Sequence, residues 1–151
     1  MPESLRTSLE RRAFNLWPCY FGTGARITYV ASDWREVRVE IPLSYRTRNY
    51  VGTIYGGSMY GAVDPIYMIM LIRNLGRGYD VWDKAASIRF KRPGRGTLHA
   101  RFSLPEAELA AIRAALEGAR SVDRAYTVEL ADPVGRVHAV VEKTIYVGRR
   151  A

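Results

Sequence analysis

The chain has 151 residues, 48% of them apolar and 25% charged: an ordinary globular composition, enough for one domain over 1–151 with a sizeable core. A formal charge of +8 favours anionic partners such as nucleic acid, an acidic membrane surface or a phosphorylated small molecule. The basic residues are dispersed rather than massed, which argues against nucleic acid, and the single cysteine, Cys19, excludes an internal disulfide and any multi-cysteine metal site.

Residues 3–16 have helical period, with Leu5, Leu9, Ala13 and Leu16 on one face and Arg6, Glu10 and Arg11 on the other. The same charged residues interrupt any signal-peptide pattern, and the protein is expected in the cytoplasm. Pro18 ends the helix, and Cys19 behind it reads as a small buried side chain. Residues 25–31 form a strand. Residues 36–42 form a clearer one, in which Val37, Val39 and Ile41 alternate with Glu36, Arg38 and Glu40.

A loop over 43–55 leads to the adjacent glycines Gly56 and Gly57. A helix from about Gly57 to Asn74 follows, closed by Gly76. It is apolar on nearly every side and is therefore expected to be buried in core or subunit interface. At 17 residues, Gly56–Ile72 is short for a membrane span and carries Asp64-Pro65 in its middle. Pro65 cannot donate to the carbonyl of Gly61, so the helix should kink beside Asp64.

The second half alternates again. Ala86, Ile88 and Phe90 share a face in 84–91, and Leu98, Ala100, Phe102 and Leu104 share one in 97–104. Residues 105–117 switch to helical period, with Leu109, Ile112 and Leu116 aligned. Strands follow around Tyr126–Leu130 and over 137–147. Short connections imply antiparallel pairing. About six strands and an all-apolar helix suggest an α+β domain whose sheet curls around that helix, with a second copy covering the free edges.

Asp64 is the only charged side chain between Gly56 and Ile72. Burying an unpaired carboxylate costs several kcal/mol, so this one is expected to be paired, shifted in pKa or part of a site. Two residues without Cβ at a helix start leave backbone N–H groups open where the helix dipole is positive. A secluded carboxylate and bare N–H groups are two parts of an acyl-transfer site. Lys91, Arg92 and Arg95 form a basic cluster around Pro93-Gly94. Asp83 and Lys84 suggest a local ion pair. His99 and His138 have no ligand spacing, so no metal is expected.

Order and pattern resemble the hotdog fold, a curved antiparallel six-stranded sheet wrapped around a long central helix. Asn49, Gly52, Gly56, Gly57 and Asp64 fall at the spacings of the hotdog acyl-CoA thioesterases, especially those related to the phenylacetate-pathway enzyme. Tyr55 stands where that family usually has histidine. The runs Gly56–Pro65, Val81–Ser87 and Arg92–Gly96 look like a branch of hotdog proteins of unassigned substrate.

The resemblance implies an acyl-CoA thioesterase without metal or cofactor, acting as a homodimer or homotetramer, with no nucleic-acid or membrane partner. Asp64 would be nucleophile or general base, the Gly57 N–H the oxyanion donor, and Asn49 an orienting group. Tyr55 and Gly56 would contact substrate, and Lys91, Arg92 and Arg95 would suit the CoA phosphates. The site would lie between subunits. A tyrosine cannot serve as a neutral-pH base as imidazole can, so a non-catalytic acyl-CoA or fatty-acyl binding protein is the competing expectation. A hydratase normally wants a histidine near the helix start, and none precedes His99.

Overall fold

The computed structural model describes residues 1–150. In chain order the elements are α1 (Leu5–Leu16), α2 (Pro18–Phe21), β1 (Arg26–Val30), β2 (Glu36–Ile41), α3 (Gly56–Val63) and α4 (Ile66–Leu75). Then come β3 (Tyr79–Phe90), β4 (Leu98–Ser103), α5 (Glu106–Gly118), β5 (Ser121–Ala131) and β6 (Val137–Arg149). The six strands make one antiparallel sheet in the order β1-β2-β4-β5-β6-β3. The sheet curves around α3 and α4, which is the hotdog arrangement. Among the described residues no helix is long and apolar enough to cross a membrane.

Strand period sets the inner face. Val37, Val39 and Ile41 of β2, Leu98, Ala100 and Phe102 of β4, and Ala139, Val141, Ile145 and Val147 of β6 are all buried. Against them pack Met59, Ala62, Val63, Ile66 and Met70 of the central helix. The helix is one rod in two segments. It breaks at Asp64-Pro65, as Pro65 requires, and ends at Gly76, whose φ of 86° suits a residue without Cβ.

Three expectations change. The Leu5, Leu9 and Leu16 face of α1 is exposed, and the helix docks on β1 through Asn15, which bonds Ile27, with half-buried Phe14 packed against the core. Cys19 is exposed because the single turn of α2 turns its neighbour Tyr20 inward instead. The central helix is not buried all round: Gly61, Pro65, Met68 and Ile69 are half-covered and Ile72 is exposed.

Gly24 joins α2 to β1 with φ of 79°. A Cβ there would overlap the methyl of buried Thr47, whose hydroxyl donates to Pro42 O at 2.6 Å and accepts from Ser44 N at 2.9 Å. Gly24→Ala is therefore expected to destabilise the protein by about 2–3 kcal/mol, read from the midpoint of urea unfolding.

Candidate active site

The loop before α3 is held by its own polar groups. Asn49 Oδ1 accepts from Thr53 N at 2.9 Å and Val51 N at 3.2 Å, and its Nδ2 donates to Thr53 Oγ1 at 2.9 Å. Tyr55 N donates to Thr47 O at 2.7 Å, and Ile54 N to Gly94 O at 2.9 Å. Asn49 is thus engaged in shaping this loop. Helical bonding begins at Met59 N, which donates to Tyr55 O at 3.1 Å. The N–H groups of Gly56, Gly57 and Ser58 precede that bond and have no helical acceptor.

Two aromatic rings lie on these glycines. A Cβ on Gly56 would come within 2.8 Å of Phe90 Cζ, and one on Gly57 within 2.5 Å of Tyr55 Cε1. Beside them is a cavity of about 410 Å³ lined by Asn49, Gly56, Met59, Phe90, Lys91 and Arg92 among others. Four of the expected site residues therefore meet at one hollow. Tyr55 and Gly57 adjoin it, whereas Arg95 is exposed outside its lining. Arg92 also braces the loop, donating to Val137 O at 2.7 Å.

Asp64 sits at the helix break, and its environment differs from the dry seclusion expected of it. Its side chain is 42% exposed. All its recorded bonds converge on one oxygen: Oδ1 accepts from Tyr60 Oη at 2.7 Å and from Lys143 Nζ at 2.8 Å. The same ammonium reaches the main-chain oxygen of Asp64 and lies 2.8 Å from Asp83 Oδ1. The fully dry charge is that of Lys143, whose side chain is 0% exposed.

Asp83 pairs with Lys143, not with Lys84. A bulge between Asp83 and Ala85 turns Asp83 inward and sends Lys84 out to Asp123 at 2.7 Å. Burial pushes the Asp83 carboxyl above the usual carboxylate range, against the pull of the Lys143 ammonium, and the Asp64 charge adds to the rise. Burial, then the Asp64 carboxylate, raises the Tyr60 phenol.

Sequence reasoning missed Lys143. Its signal was the inward row Ala139, Val141, Lys143, Ile145, Val147, where one charge interrupts an apolar alternation. Asp64 also lines a second cavity, of about 320 Å³, with Phe14, Trp17, Tyr20, Gly61 and Ile69.

Gly57 and Asp64 belong to one helix, but at about 1.5 Å of rise per residue they lie roughly 10 Å apart along its axis. A reacting carbon needs both groups at about 3 Å. On one chain, then, the Asp64 carboxylate and the Gly57 N–H could not both reach one carbonyl group.

A family model described as a domain of unknown function, DUF4442, matches residues 6–147. The chain belongs to this DUF4442 family. No curated protein matches it. Among solved structures it is similar to PA5026 of Pseudomonas aeruginosa, described as a protein of unknown function and a probable thioesterase. The two share 18% identity over 99% of each chain, with a TM-score of 0.83. The thioesterase HI1161 of Haemophilus influenzae is also similar, at 14% identity, TM-score 0.69, over 97% of this chain and 93% of that one. So is a mutant of the thioesterase PA1618 of Pseudomonas aeruginosa, at 12% identity and TM-score 0.70, over 94% of each chain. This DUF4442 chain thus has the fold of structures that include thioesterases.

Proposed function

We propose that this DUF4442 protein hydrolyses an acyl-CoA thioester at a site shared by two copies of the chain. The observation that carries the reading is the Asp64 carboxylate: half-exposed, held by one oxygen, and lining a hollow at the break of the central helix. The likeness to solved thioesterases supports it at the level of the fold.

In this reading Asp64 takes a proton from water as the water oxygen attacks the thioester carbon. The carbonyl oxygen gains charge and is held by the Gly57 N–H of the other copy. The carbon–sulfur bond then breaks, and the sulfur leaves as CoA thiol once the proton is returned to it. Asn49 holds the loop that presents Gly56 and Gly57, and Tyr55 covers them. Lys91 and Arg92 stand where the CoA phosphates would enter, and exposed Arg95 adds to the attraction only at long range. No step needs a metal or cofactor.

The second copy has a place to bind. β3 is an edge strand of 12 residues, and Trp82, Ala86 and Phe90 on it are exposed. A long open edge of this kind is normally covered. The half-exposed Gly61, Pro65, Met68 and Ile72 stripe offers an apolar surface beside it. A dimer, or a tetramer built from dimers, would close both.

The competing reading, a non-catalytic acyl-CoA or fatty-acyl binding protein, is favoured by Tyr55 in the usual histidine position. A panel of acyl-CoAs varying in chain length and aryl character separates the two. Release of free thiol from at least one is expected. Tight binding of intact acyl-CoA, with no thiol released from any of them, would select the binder.

A further inference from the structure

We infer that Lys143 and Asp83 are positioning residues for Asp64: a buried ammonium that fixes one carboxylate oxygen and leaves the other for chemistry, and a half-buried carboxylate that shares its charge. The inference rests on the reading of Asp64 as the base.

A lysine in the inner row of β6 is costly. Desolvating an ammonium costs several kcal/mol unless good partners surround it. Lys143 meets three oxygens: Asp64 Oδ1 at 2.8 Å, Asp83 Oδ1 at 2.8 Å and the main-chain oxygen of Asp64. Two of these contacts are hydrogen bonds, to Asp64 Oδ1 and to the main-chain oxygen of Asp64, and the third is a charge contact that leaves Asp83 Oδ1 without a hydrogen-bond donor among the described residues. The contact with the main-chain oxygen ties the helix break itself to the sheet. It therefore holds the backbone of Asp64 as well as its side chain.

A structural ion pair would need only one of the two aspartates. Here two carboxylates face one cation, and the chain spends a bulge at Lys84 to bring the second of them inside. Tyr60 faces the cluster from α3, donating to Asp64 Oδ1 with its ring 5.8 Å from Lys143 Nζ. Tyr126, opposite Lys143 on β5, donates to Glu108, which is closed by Arg124 at 2.5 Å and adds no free charge. Glu142, the neighbour on β6, is exposed and reaches Arg89.

Within the cluster two carboxylates compete for one ammonium. Both donors on Asp64 also converge on Oδ1, which leaves Oδ2 without a bond among the described residues. A carboxylate kept only for architecture has no need of that asymmetry.

The test is thiol release against pH for wild type, Asp64→Asn, Lys143→Met and Asp83→Asn, with folding checked by thermal melting. Lys143→Met is expected to move the acid limb of the rate–pH profile up by about one pH unit or more, since two carboxylates then face each other without a cation. Asp83→Asn is expected to move it down, because the ammonium then acts on Asp64 alone. Should Lys143→Met not fold, the downward shift in Asp83→Asn carries the test by itself. If Asp64→Asn is inactive but both limbs stay at the wild-type pH, Lys143 and Asp83 are merely structural and the inference falls while the hydrolase reading stands. If Asp64→Asn keeps the wild-type rate, the hydrolase reading falls and takes the inference with it.

Discussion

Asp64→Asn is expected to lower kcat for thioester hydrolysis by roughly a hundred- to ten-thousand-fold, the range for removing a positioned general base. The substitution is nearly isosteric. The amide oxygen of asparagine can still accept from Tyr60 and Lys143, as Oδ1 does at 2.7 and 2.8 Å. Lys143 also keeps a charged partner in Asp83, 2.8 Å away, so the buried ammonium is not left alone. Geometry and substrate binding should therefore survive, and KM should change little, while proton acceptance is lost. Thiol release is best followed with a thiol-reactive dye in a Cys19→Ser background, because Cys19 is exposed and would itself react. Equal rates in the two proteins would remove Asp64 from the chemistry.

Much of this arrangement was legible from side-chain period and from proline and glycine. The alternation of β2 fixed its inner face, Pro65 located the helix break, and Gly76 located the helix end. What period cannot say is which face docks. Leu5, Leu9 and Leu16 share a face of α1, yet polar groups hold that helix down. Asn15 exchanges two hydrogen bonds with Ile27 on the edge strand β1, at 2.9 and 2.7 Å, and Glu10 accepts from Trp34 Nε1 at 2.9 Å. Polar docking leaves no apolar signature in the sequence.

The errors at Asp83 and Asp64 have different causes. Adjacent residues of a strand point to opposite faces, so Asp83 and Lys84 were poor partners from the start. The bulge that sorts them depends on the register with β6, which lies far off in sequence. Asp64 was expected to be dry because its helix is apolar all round. One chain covers only the sheet side of that helix, and Gly61, Pro65, Met68, Ile69 and Ile72 on the other side stay partly or fully exposed. The candidate site was therefore legible as a set of residues but not as a geometry, since the counter-ion of Asp64 comes from β6, far off in sequence.

The proposed sharing of the site between two copies gives the other large expected effect. Gly57→Pro removes the proposed oxyanion donor at a first-turn helix position, where proline is tolerated. It should cost roughly a hundred- to a thousand-fold in kcat. The Tyr55 ring that now lies on Gly57 is exposed and free to swing aside. Asp64→Asn and Gly57→Pro dimers would each be nearly inactive. Random reassortment of the two should restore about a quarter of the wild-type rate, because a two-fold interface makes half the dimers mixed, each with one intact site. The intact site pairs Gly57 from the Asp64→Asn chain with Asp64 from the Gly57→Pro chain. Stopped-flow or dye-coupled thiol release after joint refolding measures the recovery. If both groups acted within one chain, no combination of subunits would regain activity. The roughly 10 Å between them along a single helix argues that recovery will be seen.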